Sequence, residues 1–174
     1  MNIPNILTII RFFLIPIFYL VYTSSLSNRF GLSITIFVIS GITDILDGYI
    51  ARKYDMITKW GTILDPLADK LMIITVLFCL SRDAILPKWV FIFILAKEII
   101  MVAGGVNLLR YKEYIPAKYY GKITTLLIYT GVVSTVFSKK LGTIILYAAI
   151  AMAIFAFYKY FKSFMAISKK QQQN

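Results

Sequence analysis

Six apolar stretches, 3–22, 30–50, 60–80, 89–109, 120–137 and 141–161, fill nearly all of the 174 residues. Each is close to the roughly 20 residues that a helix needs to cross the hydrocarbon core of a bilayer. Inside a bilayer the backbone must satisfy its own hydrogen bonds, so stretches of this length can only be helices. The breaks, 23–29, 51–59, 81–88, 110–119 and 138–140, leave no room for an extramembrane domain. The expectation is therefore an all-α integral membrane protein with six transmembrane helices, one domain over 1–174 with a frayed tail at 168–174. Hydrophobic residues make up 59% and charged residues 16%, too little polar surface to cover a soluble globule. The first stretch has neither a basic leader nor a small-residue cleavage site, so it reads as a span and not as a cleavable signal.

The basic residues set the orientation. Six spans would put both termini and the second and fourth breaks on one side, with Arg11, then Arg52, Lys53 and Lys59, then Arg110, Lys112, Lys118 and Lys122, and in the tail Lys159, Lys162, Lys169 and Lys170. The other side has Arg29, Arg82, Lys88, Lys139 and Lys140, while Lys70 and Lys97 fall inside spans. The positive-inside bias places both ends in the cytoplasm. A net charge of +11 then serves topology and attraction to anionic headgroups, not nucleic-acid binding, for which no soluble face exists.

Histidine is absent and Cys79 is the only cysteine. That removes the usual neutral-pH base, the commonest zinc ligand and any internal disulfide. Catalysis must rest on carboxylates, amines, guanidinium groups or hydroxyls. Of eight acids, four (Asp44, Asp47, Asp65 and Asp69) lie at the facing ends of the second and third spans. Asp44 and Asp47 are three residues apart, Asp65 and Asp69 four, so each pair shares one helix face. A short break makes the two helices antiparallel neighbours with their acid pairs at similar depth near the cytoplasmic end. Carboxylates cost about 2.5–3.5 kcal/mol each at a helix centre in the membrane, so they must face water, pair with cations or bind metal. Hard oxygen donors suit magnesium, manganese or calcium. The alternative is neutralisation by Arg52, Lys53, Lys59 and Lys70 without metal.

Small residues flank the acids: Gly48 after Asp47, Ala51 a turn later, Gly61 a turn before Asp65. They admit a ligand at close range or let helices pack together. Pro66 either is tolerated early in the third helix or bends it. Lys97 and Glu98, adjacent in the fourth stretch, point to different sides and read as contacts with other helices. Trp60, Trp89, Tyr119 and Tyr120 read as interface anchors.

Taken together, Asp44-x2-Asp47-Gly48-x2-Ala51-Arg52-x8-Gly61-x3-Asp65-x3-Asp69 resembles the signature of the CDP-alcohol phosphatidyltransferases, with all eight positions at the family spacing. The opening Ile3-Pro4-Asn5-Ile6-Leu7-Thr8-Ile9-Ile10-Arg11 looks like that of the phosphatidylglycerophosphate synthases. So do Ile50-Ala51-Arg52-Lys53, Leu64-Asp65-Pro66-Leu67-Ala68-Asp69-Lys70 and Gly121-Lys122. The fourth helix departs from them, with Lys97-Glu98 where they carry Arg-Glu and Gly105 in place of a second arginine. With Arg110-Tyr111 further on, it is closer to mitochondrial-type cardiolipin synthases.

The resemblance implies transfer of a phosphatidyl group from CDP-diacylglycerol to glycerol 3-phosphate, with release of CMP, in a polar metal-binding cavity at the cytoplasmic interface of a bacterial plasma membrane. It implies two Mg2+ or Mn2+ ions on Asp44, Asp47, Asp65 and Asp69, with Asp69 also the general base. Gly48, Ala51 and Gly61 would make room for the donor. Arg52 would pair with a phosphate or else anchor at the interface, and Asn5 and Thr8 would line the donor site or else cap a helix. Lys122, Arg110, Arg11 and Lys118 are candidates for the acceptor phosphate, each equally readable as a topology charge. Family members are similar in forming homodimers. Within the same chemistry the acceptor could be phosphatidylglycerol, making a cardiolipin synthase. A divalent-cation transporter is the distant alternative, disfavoured because the acids gather at one membrane face.

Overall fold

The computed structural model describes residues 3–54, 59–110 and 119–172, without the side chains of 3, 52, 59–60, 62–63, 104–110 and 166–172. Among the described residues every regular element is an α-helix: α1 (Ile3–Thr23), α2 (Arg29–Lys53), α3 (Lys59–Arg82), α4 (Lys88–Arg110), α5 (Tyr119–Phe137) and α6 (Lys139–Gln172). Each expected apolar stretch lies within one of them. α6 continues as helix through Gln172, past the apolar stretch and into the tail. Among the described residues three helices are long and apolar enough to cross a membrane, over Pro4–Thr23, Arg29–Ala51 and Lys139–Met165. The chain is thus a helical membrane protein. It divides into two compact units, Met1–Ile85 and Leu86–Asn174.

In the first unit α1 is the centre, packed against both α2 and α3, which touch each other only sparsely. The antiparallel α2–α3 pair expected to bring the acids together is therefore mediated by a third helix. Buried positions on α1 recur as Pro4, Thr8, Arg11, Phe18 and Tyr22, at steps of four, three, seven and four that mark one helix face. α2 buries Ser33, Phe37, Ser40 and Asp47 on the same rhythm, and α3 buries Gly61, Ala68, Met72, Val76 and Cys79. Asp44 and Asp65 fall on the α2 and α3 stripes, half-buried. The acids face inward because they occupy register positions that are apolar or small elsewhere along the same helices.

The opposite end of this unit is closed by polar contacts. The Tyr22 hydroxyl donates to Asp83 over 3.2 Å. Arg29 donates to the Tyr22 carbonyl at 3.1 Å and stands over its ring. α3 ends in a Schellman-type turn, with Ile85 N–H donating to the Leu80 carbonyl and Ala84 N–H to that of Ser81. Ala84 takes the left-handed position there, φ 55°, which glycine adopts more readily.

In the second unit α5 and α6 form a hairpin joined by Ser138, whose hydroxyl accepts from the Leu141 N–H three residues on and so caps α6. Gly131 and Gly142 let the two backbones come close: a Cβ on Gly142 would lie 2.6 Å from the Thr135 nitrogen and 2.8 Å from the Gly131 carbonyl oxygen. α4 packs on α6, and the Tyr160 hydroxyl donates to the Met101 carbonyl at 3.2 Å.

Candidate active site

The α1 stripe delivers Arg11 into the acids. Its guanidinium donates through Nη1 to Asp44 and through Nη2 to Asp47, both close contacts. Nη2 also reaches Asp65 Oδ1 at 3.2 Å, and Nη1 lies 3.5 Å from the Asp65 carbonyl oxygen. One planar fork therefore joins three carboxylates from two helices. Thr8, one turn earlier on α1, donates its hydroxyl to Asp65 in a further close contact. Its oxygen also lies 3.0 Å from the Pro4 carbonyl.

Burial grades across this cluster. The Arg11 side chain is 1% exposed and Asp47 3%, whereas Asp44 and Asp65 keep 39% and 32% of their side-chain surface open. All three carboxylates are ion-paired to Arg11, and Asp44 and Asp65 also keep part of their surface exposed. Three carboxylates against one guanidinium leave two formal negative charges, before Asp69 is counted. Removing one partner from a buried ion pair costs about 3–5 kcal/mol. α1, α2 and α3 are thus held together at this end by charge.

Expected as a ligand for the acceptor phosphate, Arg11 is instead occupied by carboxylates. The reason is register: it lies on the buried face of α1, and a buried arginine needs partners. The alternative to metal names Arg52, Lys53, Lys59 and Lys70 as the cations that offset the acids, and Arg11 is not among them. A signal did exist, since Thr8 and Arg11 continue the stripe of Phe18 and Tyr22.

The other candidates are placed as follows. Asp69 is half-buried one turn beyond Asp65, on the same face of α3, and Gly61 is buried one turn before it. Gly48, Ala51 and Asn5 are half-buried. The Arg52 and Arg110 side chains and all of Lys118 lie outside the described residues. Lys122 is exposed in the first turns of α5. Lys97 and Glu98 correct the reading that they point to different sides: Lys97 Nζ lies 2.5 Å from Glu98 Oε1, both largely buried. A four-carbon stem reaches a neighbour 100° around the helix, and in apolar surroundings pairing outweighs separation.

Among the described residues no three acidic side chains close on a single point as metal ligands do; the Arg11 fork lies between them. The donor set still suits a hard divalent cation, being carboxylate oxygens from two helices, gathered by one positive group and carrying excess negative charge. The sequence profile of the CDP-alcohol phosphatidyltransferases matches residues 1–155. The chain belongs to that family.

This phosphatidyltransferase is 34% identical over 173 residues to the CDP-diacylglycerol–glycerol-3-phosphate 3-phosphatidyltransferase of Rickettsia felis, covering 93% of the chain and 94% of the relative. The Bacillus subtilis protein of the same name is 33% identical over 136 residues, 71% of the chain and 70% of the relative. A Mycobacterium bovis protein provisionally named a cardiolipin synthase is 35% identical over 127 residues, 72% of the chain but 59% of that protein. In this phosphatidyltransferase, then, three of the four aspartates of the signature converge on one group contributed by α1.

Proposed function

We propose that the chain transfers the phosphatidyl group of CDP-diacylglycerol to the hydroxyl of glycerol 3-phosphate and releases CMP. The observation that carries this reading is the gathering of Asp44, Asp47 and Asp65, two of them half-buried and not fully enclosed, in a chain whose relatives over almost its full length bear that name. A diphosphate donor needs a site that manages concentrated negative charge and holds the attacking oxygen in line.

In the proposed arrangement all six helices cross the membrane with both termini and the aspartates at the cytoplasmic face. The donor's acyl chains stay in the bilayer and its diphosphate meets the acids at headgroup level. Asp44, Asp47, Asp65 and Asp69 would hold Mg2+ or Mn2+, which supplies neutralisation of the diphosphate and of the departing CMP. Asp69 takes the proton from the acceptor hydroxyl, which attacks the phosphorus next to diacylglycerol. Gly48, Ala51 and Gly61 present no bulk to the nucleotide, and Asn5 and Thr8 border it. Arg52 pairs with a phosphate through its planar fork. Lys122, Arg110 and Lys118 remain, on charge alone, the candidates for the acceptor's phosphate. The family resemblance adds a homodimer.

A second reading, cardiolipin synthesis from CDP-diacylglycerol and phosphatidylglycerol, is favoured by Lys97-Glu98 in α4 and by the mycobacterial relative. CMP release separates the two, measured on purified protein with CDP-diacylglycerol and each acceptor in turn. Turnover with glycerol 3-phosphate is expected. Turnover with phosphatidylglycerol alone would give the second reading its place.

A further inference from the structure

We infer that Arg11 is a tethered counter-ion: it keeps Asp44, Asp47 and Asp65 gathered in the absence of a divalent cation, and it shares their oxygens with that cation when one binds. The inference rests on the reading that these carboxylates hold a divalent ion during turnover. It assigns to α1, which lies outside the aspartate signature, a positioning role within the site.

Three observations carry it. Both terminal nitrogens of the guanidinium are engaged, each with a different α2 carboxylate, and both also approach Asp65. The side chain is almost wholly buried, so bulk water cannot replace it as a counter-charge. α2 and α3 have little direct contact, and the Arg11 fork spans from the α2 carboxylates to Asp65 of α3. Without a central positive charge, three carboxylates within reach of one fork repel each other, and α2 and α3 lose their tie at this end. A divalent cation offers the same attraction in more compact form. Arg11 and the ion are thus partial substitutes, and each diminishes the structural effect of the other. Asp44 and Asp65, being partly open, are where an entering ion would first compete with the fork.

The test compares the full-length parent, Arg11→Gln and Arg11→Lys in detergent or anionic-lipid nanodiscs, with thermal unfolding read in EDTA and in saturating Mn2+. Mn2+ binding is followed in parallel by electron paramagnetic resonance. In EDTA the midpoint of Arg11→Gln is expected to fall by on the order of 10 °C. Mn2+ is expected to restore most of that loss, so that its stabilising shift exceeds the shift in the parent. Arg11→Lys, which keeps the charge but loses the fork, is expected to lie between and serves if the glutamine variant does not fold. A merely structural arginine would lower the midpoint equally in both conditions; that result, or no Mn2+ response in any of the three proteins, overturns the proposal. CMP release by the parent judges the functional reading separately. A parent that turns over while its variants show equal Mn2+ shifts sinks the role of Arg11 alone. A parent that releases no CMP with any acceptor sinks the phosphatidyltransfer reading.

Discussion

Thr8 donates its hydroxyl proton to Asp65 across 57 positions of sequence, from α1 to α3. The hydroxyl has one proton and two acceptors in range, the Asp65 carboxylate and the Pro4 carbonyl, and the charged acceptor takes the stronger bond. A hydrogen bond to a charged group contributes about 1.5–3 kcal/mol. Thr8→Val, equal in shape but without the donor, is therefore expected to lower kcat/KM for CMP release roughly 10–100-fold. Thr8→Ser should keep most of the activity. A valine variant working at the parent rate would remove Thr8 from the support of Asp65.

How far the sequence could be read is clear from this pair. Asp65 was legible as a site residue because carboxylates inside an apolar helix need a purpose, and its four-residue spacing from Asp69 set their shared face. The six helices were legible because apolar stretches of span length leave no other backbone solution. Arg11 among the aspartates was not, since an isolated arginine near a chain end reads equally well as a topology charge. Its partners are 33, 36 and 54 positions away. Only the packing of α1 between α2 and α3 joins them. Lys97 and Glu98 failed for a simpler reason, because helical angles describe where a side chain leaves the backbone and not where a long one ends.

Gly142 offers a test of the second unit. An added methyl would press on the Thr135 nitrogen at 2.6 Å and the Gly131 oxygen at 2.8 Å, and backbone atoms cannot rotate away. Gly142→Ala is expected to force the α5–α6 hairpin apart at a cost of about 1–3 kcal/mol, seen as a lower unfolding midpoint. Gly121→Ala, where nothing lies within 4 Å of the new methyl, is the control and should leave the midpoint in place or raise it. Equal midpoints for the two variants would mean that the hairpin is looser than described.

Asp69 carries the proposed proton transfer, and its amide variant separates that role from metal or donor binding. Asp69→Asn keeps the size and most hydrogen-bonding reach of the side chain but neither the charge nor the basicity. General bases contribute about 10²–10⁴ in rate. Loss of the base alone should lower kcat by that factor and leave KM for CDP-diacylglycerol near its parent value, because the hydroxyl proton moves only after the donor is in place. Asp65→Asn gives the contrast, since Asp65 is tied to Arg11 and Thr8. It should lower the unfolding midpoint as well as the rate. If Asp69→Asn instead raised KM for the donor with kcat preserved, Asp69 would act only through the metal it helps to hold, and the base would have to be sought elsewhere.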